Sequence, residues 1–214
     1  MTTADALSIE VLVDWLARFA ARVARDRVEL TELDTAIGDG DHGANLARGT
    51  AAVADRSEHG DTVEAEAKSI GMTLVTTVGG ASGPLFGTFF LRFGVAAGPV
   101  TSLDTRGVAL ALRAGLDGVV ERGRAERGDK TLVDALAPAV DAFEERAAAG
   151  DDLDSCASAA REAARRGRDE TAPLLARKGR ASYLGERSIG HVDPGAQSTT
   201  YLFDALVDAL RDDA

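Results

Sequence analysis

A chain of 214 residues, 45% apolar and 28% charged, is long enough to bury a sizeable core and too apolar for disorder, and a single domain over residues 1–214 is the expectation. Its net charge of −11 argues against nucleic acid as a partner, and no apolar run approaches the roughly 18–20 residues that cross a bilayer. One cysteine, Cys156, leaves no internal disulfide, and Met1–Ala6 lacks the basic cluster and apolar stretch of a secretory signal, so the cytoplasm is the expected location.

Helical periodicity dominates the chain. Leu12, Trp15, Leu16, Phe19 and Val23 share one helix face, as do Val63, Ala67, Ile70, Leu74 and Val78. Asp61 followed by Glu64 reads as a capping box for the second of these. Phe86, Phe89, Phe90 and Phe93 repeat the spacing, and Val108, Leu112, Leu116 and Val119 follow behind Asp104 as N-cap. The next helix carries Leu132, Leu136, Val140 and Phe143, with Asp129 as its expected cap. Leu153, Ala157, Ala160 and Ala164 form a small-residue stripe suited to close helix contact, and Leu202, Ala205, Leu206 and Leu210 end the series. No stretch alternates as a strand does. The fold class is therefore all-α, with short connections and antiparallel neighbours. Four Gly-rich segments, 31–43, 79–84, 123–131 and 177–198, break the periodicity as loops, and an antiparallel bundle can bring them to one mouth.

The first of these loops places Asp34, Asp39 and Asp41 within eight residues, interleaved with Gly38, Gly40 and Gly43. Three like charges this close repel one another unless a cation lies between them, and oxygen-only ligands suit magnesium or calcium. No glutamate follows at the spacing of a calcium-binding EF-hand loop. Turn and capping roles are the alternative for such Asp-Gly pairs. A helix beginning near Gly43 would aim free N–H groups at an anion, and carboxylates beside a helix N-terminus make chemical sense when metal bridges carboxylate to phosphate.

Gly79-Gly80-Ala81-Ser82-Gly83-Pro84 offers a second anion-binding helix start, with Pro84 suited to a first turn. Residues 177–198 form a long basic loop in which Arg177, Lys178, Arg180 and Arg187 are either a solvated face or a lid over phosphates. No Walker A or dinucleotide fingerprint is present, and three histidines with one cysteine form no nucleophilic triad.

The strings GDGDHG, GGASGP and KGRASYLGERSIGHVDPG, with Gly128–Leu136, resemble the nucleotide-binding L subunit of dihydroxyacetone kinases over nearly the whole chain. The resemblance implies an antiparallel eight-helix barrel with ADP or ATP at one end. It implies that Asp34, Asp39 and Asp41 hold two Mg2+ ions bridging to the phosphates. Nucleotide contacts would come from His42, Gly43, Ala44 and Asn45, from Ala81 and Ser82, and from Gly123 and Leu132. Arg180, cast as the catalytic arginine, and the turn Asp193-Pro194-Gly195 would complete the site from the lid. Gly40 stands where the family often has alanine, and Leu132 where it often has methionine.

By the same resemblance the reaction is in-line phosphoryl transfer to dihydroxyacetone held covalently on a separate K subunit, so a K partner is required. The donor is ATP or a phosphohistidine protein that recharges bound ADP, and a homodimer stays open. Three carboxylates and roughly −3 on a diphosphate are nearly balanced by about +4 from two magnesium ions, with Lys178 and Arg180 supplying the remainder. Another ketose or a fatty acid as acceptor, a non-catalytic ADP sensor, and a metal-stabilised scaffold without nucleotide are the rival readings.

Overall fold

The computed structural model describes residues 5–212, so residues 1–4 of the N-terminal stretch read above lie outside it. Its helices are α1 (Ile9–Arg25), α2 (Arg27–Ile37), α3 (His42–Ala54), α4 (Val63–Thr77), α5 (Ser82–Ala97), α6 (Thr105–Gly123), α7 (Val133–Ala149), α8 (Leu153–Glu170) and α9 (Pro194–Asp212), with a 3-10 segment over Arg180–Ser188. No described helix is long and apolar enough to cross a membrane.

Eight of the nine α-helices among the described residues close a ring. Each of α3 through α8 packs on the next, and α9 returns to α1, which packs on α3. This is the expected antiparallel eight-helix barrel, with α2 standing outside the ring against α3, α9 and the 3-10 segment. The periodic faces supply the core. Trp15 of α1 meets Phe90 and Phe93 of α5 edge-on at centroid distances of 5.7 and 6.2 Å, and its Nε1–H donates to the Leu202 carbonyl at 2.7 Å. The aromatic geometry and the satisfied indole N–H together fix three walls around one buried centre.

Small residues set how closely the walls approach. A methyl group added at Gly167 of α8 would lie 2.1 Å from the Asp134 carbonyl oxygen of α7, and one at Gly71 of α4 would lie 2.8 Å from that of Gly87 in α5. Ala157, Ala160 and Ala164 are fully buried, as the small-residue stripe requires.

Several local expectations change. Residues 31–37 are helical, because Leu30, Asp34 and Ile37 form the buried face of α2; an aspartate at a core-facing position hid its periodicity. Thr62, and not Asp61, caps α4 by accepting from the Ala65 N–H, while Glu64 pairs with Lys68 one turn on. Asp104 caps α6 as expected, accepting from the Gly107 N–H at 2.7 Å. Asp129 does not cap α7. Asp134, inside the helix, reaches back to the Gly128 and Thr131 N–H groups, and Asp129 instead accepts from the Glu126 N–H. The segment 177–198 is no open loop, since Pro194 already begins α9. A short antiparallel pair, β1 (Leu7–Ser8) with β2 (Ser102–Leu103), adds the one strand pairing among the described residues.

Candidate functional site

The chain passes one pole of the barrel four times, between α2 and α3, α4 and α5, α6 and α7, and α8 and α9, and these links line a single cavity of about 530 Å³. His42, Ser82, Val133 and Pro194, the first residues of α3, α5, α7 and α9, all border it. Four helix N-termini, each carrying partial positive charge, thus face one space.

Asp34, Asp39 and Asp41 gather at this mouth with one ligand oxygen each, all within 4.8 Å of one another. Different elements place them. Asp34 projects from α2, where its Oδ2 accepts from the N–H groups of Asp41 and His42 at 2.8 and 3.0 Å. It therefore caps α3 from a neighbouring helix as well as joining the cluster, so the capping alternative holds for this aspartate in part. Gly38 has no room for a side chain, since a methyl there would lie 2.2 Å from Asp34 Oδ1, and Gly40 takes a left-handed φ of 74°. These two glycines let a helix end and a helix start share one carboxylate.

The remaining first turns differ in how they are satisfied. Asp193 Oδ2 accepts from the Ala196 N–H at 2.8 Å and caps α9. Burial, with the Asp134 charge adding to it, pushes the Asp193 carboxyl up to about 7. The start of α5 has no side-chain cap. Its N–H groups follow Gly79-Gly80-Ala81 beside the aspartates, where an anion can take them.

His42 lies buried between two hydroxyls, Nδ1 3.0 Å from Ser82 Oγ and Nε2 3.1 Å from Ser198 Oγ. Ser198 Oγ donates to the Gly195 carbonyl, so it accepts from an Nε2–H, and Nδ1 is left to accept from Ser82. Desolvation holds the imidazole below its ordinary pKa, against the opposing charges of Asp34 and Asp41. The histidine thus joins the α5 and α9 starts.

Arg180, in the 3-10 segment, reaches Asp39 with Nη1–Oδ2 of 2.8 Å. Its position above the carboxylates has an apolar support absent from the sequence reading: Ile37 of α2, Ala176 and Ala181 form a small separate core with Leu184 packed against it. Ser188 Oγ accepts from the Ala176 N–H at 3.0 Å and donates to the Gly185 carbonyl at 2.7 Å. Residues 173–192, which hold most of the segment expected as a lid, are therefore structured, and Lys178, Gly179, Arg180 and Ala181 border the cavity.

Of the residues singled out in the sequence, Asp34, Asp39, Asp41, His42, Ala81, Ser82, Gly123, Leu132, Arg180, Asp193, Pro194 and Gly195 all border the cavity. Gly43, Ala44 and Asn45 do not line it. Gly43 is buried against α2, where a methyl would lie 2.3 Å from the Arg27 carbonyl oxygen, and Asn45 Oδ1 accepts from Arg48 at 2.8 Å. Leu85, Val119, Ala125 and Leu132 give the cavity an apolar wall, and Lys130 also borders it. Leu85, Val119, Ala125 and Lys130 were not anticipated: Val119 reads in the sequence only as part of a helix face, and nothing there singles out the other three.

The donor set is wholly oxygen, the adjoining helix start is uncapped, and apolar side chains line the same cavity. The fold and site define a helical-barrel domain that brings a carboxylate cluster, an uncapped helix start and apolar side chains to one cavity. The chain belongs to the DAK2 domain family, whose model matches residues 36–208, in the branch of the L subunits of dihydroxyacetone kinases. It is 41% identical over 207 residues to the PTS-dependent dihydroxyacetone kinase, ADP-binding subunit DhaL, of Lactococcus lactis, a match covering 95% of this chain and 99% of the relative. It is 43% identical to the ADP-binding subunit DhaL of PEP-dependent dihydroxyacetone kinase 1 of Listeria innocua, covering 90% of this chain and 92% of that one. The crystal structure of the dihydroxyacetone kinase from C. freundii in complex with AMP-PNP and Mg2+ superposes with a TM-score of 0.71 at 27% identity, over 92% of this chain and 33% of that longer chain.

Proposed function

We propose that this chain is the nucleotide-binding subunit of a dihydroxyacetone kinase, a phosphotransferase component that presents a phosphoryl group to dihydroxyacetone held on a separate K subunit. The observation that carries the reading is the meeting of three carboxylates, within 4.8 Å of one another, with an uncapped helix start in one cavity. Three acids facing a polyphosphate make an attractive site only with cations between them.

The residues fit magnesium. Asp34, Asp39 and Asp41 would hold it, and bound there it would neutralise phosphate charge and so favour the loose transition state of phosphoryl transfer. The α5 start, with Ser82, is suited to a phosphate oxygen. The wall formed by Leu85, Val119, Ala125 and Leu132 suits an adenine base, and Arg180 suits the negative charge that develops on the transferred group.

Relatives of matching length are named for PTS- or PEP-dependent kinases, which favours a phosphohistidine protein over free ATP as the donor. ADP would then serve as a resident cofactor, and the subunit would work in the cytoplasm. The decisive test is a phosphoryl-transfer assay with a K partner and dihydroxyacetone, run once with ATP and once with a phosphohistidine donor. Turnover with the phosphoprotein alone is expected, whereas none with either donor would overturn the kinase reading. Turnover with another ketose and none with dihydroxyacetone would move the acceptor and keep the reaction.

A further inference from the structure

The link between α6 and α7 carries a charge that the phosphate site does not use. Lys130 is 1% exposed, although it borders the cavity. A lysine at the edge of a phosphate-sized space is ordinarily read as a phosphate ligand. Here its ammonium is engaged elsewhere: Nζ donates to the carbonyls of Thr171 at 2.7 Å, Ala172 at 3.2 Å, Leu174 at 3.1 Å and His191 at 2.5 Å. An ammonium has three hydrogens, so four acceptors already exceed what it can give.

Those carbonyls fall into two groups along the chain. Thr171, Ala172 and Leu174 follow the end of α8 and lead into the lid, whereas His191 leaves it just before α9. One buried cation therefore grips both ends of the segment that carries Arg180. Neighbouring bonds close the same neck: the Gly190 N–H to the Ala172 carbonyl at 2.8 Å, and the Asp193 N–H to Thr171 Oγ1 at 3.0 Å. The Arg177 N–H, inside the lid, donates to the carbonyl of Asp129, next to Lys130. Lys130 itself takes a left-handed φ of 63°, which a lysine adopts only where its surroundings impose it.

We propose that Lys130 is a positioning residue that clasps the neck of the lid and acts on phosphoryl transfer through Arg180, without touching the phosphate. The link to phosphoryl transfer rests on the function proposed above, whereas the clasp does not, and the experiment keeps the two apart. Lys130→Met retains the stem and removes the donors. In nucleotide-free protein, trypsin should cut after Arg177, Lys178, Arg180 or Arg187 about tenfold faster in the variant, because cleavage follows the population of the open lid. Equal cleavage rates would overturn the clasp.

Turnover with the K partner is then compared for Lys130→Met, Arg180→Ala and the double variant. If Lys130 acts through Arg180, the double variant is no slower than Arg180→Ala alone, and multiplying losses would overturn that route. Loss of melting temperature alone, with turnover intact, would reduce Lys130 to a structural residue and overturn the proposal. Absence of wild-type turnover overturns the kinase reading, and the trypsin arm still decides the clasp. Should Lys130→Met fail to fold, hydrogen exchange in the wild-type protein decides. The Arg177 and Gly190 amides are expected to be as protected as the first turns of α9, and exchange at the rate of free peptide would sink the idea.

Discussion

The Arg180 guanidinium rests on the Asp39 carboxylate at 2.8 Å, joining a lid between α8 and α9 to the loop between α2 and α3. The pair is largely open to water, with the arginine side chain 65% exposed, so it contributes little to stability and can be exchanged for other partners. A cation bound at the carboxylates would compete with Arg180 for Asp39, and a phosphoryl group would give the guanidinium a new acceptor. The same contact that bridges the two segments is therefore one that ligand binding would rearrange.

Arg180→Ala is accordingly expected to slow phosphoryl transfer by an amount on the order of 10³, the scale of an arginine that meets transition-state charge. Magnesium binding by the nucleotide-free variant should not weaken, because the guanidinium no longer competes for Asp39. Steady-state turnover with isothermal titration of the metal checks both. Normal turnover would return the arginine to an ordinary surface role.

The three aspartates should not behave alike. Asp39→Ala and Asp41→Ala are expected to abolish metal-dependent nucleotide binding with little loss of stability, since neither side chain caps a helix. Asp34→Ala should lose binding and also cost about 1 kcal/mol or more, because its Oδ2 holds the first N–H groups of α3. Urea unfolding of the three variants, beside nucleotide titration, separates the roles; equal stabilities would remove the capping function.

ADP and Mg2+ together should raise the melting temperature far more than either alone, since each offsets repulsion that the other leaves. A hundredfold excess over Kd corresponds to about 2.7 kcal/mol. Protein stripped of nucleotide is the starting material. Equal stabilisation by ADP in EDTA would remove the metal bridge from the account.

The Asp193 carboxyl sets a pH dependence of definite sign. Its folded pKa is raised, to about 7 against the ordinary 3.8, so the native state binds the proton more tightly than the unfolded chain. This group's contribution therefore favours the fold at low pH and is lost as pH rises from about 4 to 7. Asp193→Asn, which keeps an oxygen for the Ala196 N–H, should flatten that part of the curve. Urea unfolding of both proteins between pH 4 and 8 checks it, and parallel curves would contradict the buried, proton-holding carboxyl.

The apolar spacing alone determined the all-helical class, the faces of every ring helix but α3, and the Ala-rich stripe of α8, because a periodic face can be buried in only one way. The clustering of Asp34, Asp39 and Asp41 was legible too, since three acids among glycines have few structural uses. What the spacing could not reveal was α2, whose buried face includes a polar residue that serves α3. Nor could it separate Gly43, which lets α2 and α3 approach, from Gly40, which turns the chain. Lys130 and Asp193 illustrate the limit most clearly. In sequence they are two loop charges far apart, and only the closing of the ring buries both within reach of each other's charge. Tertiary structure decided their roles because burial strips water from a charge, leaving it to whatever carbonyls, N–H groups and opposite charges the fold brings within reach.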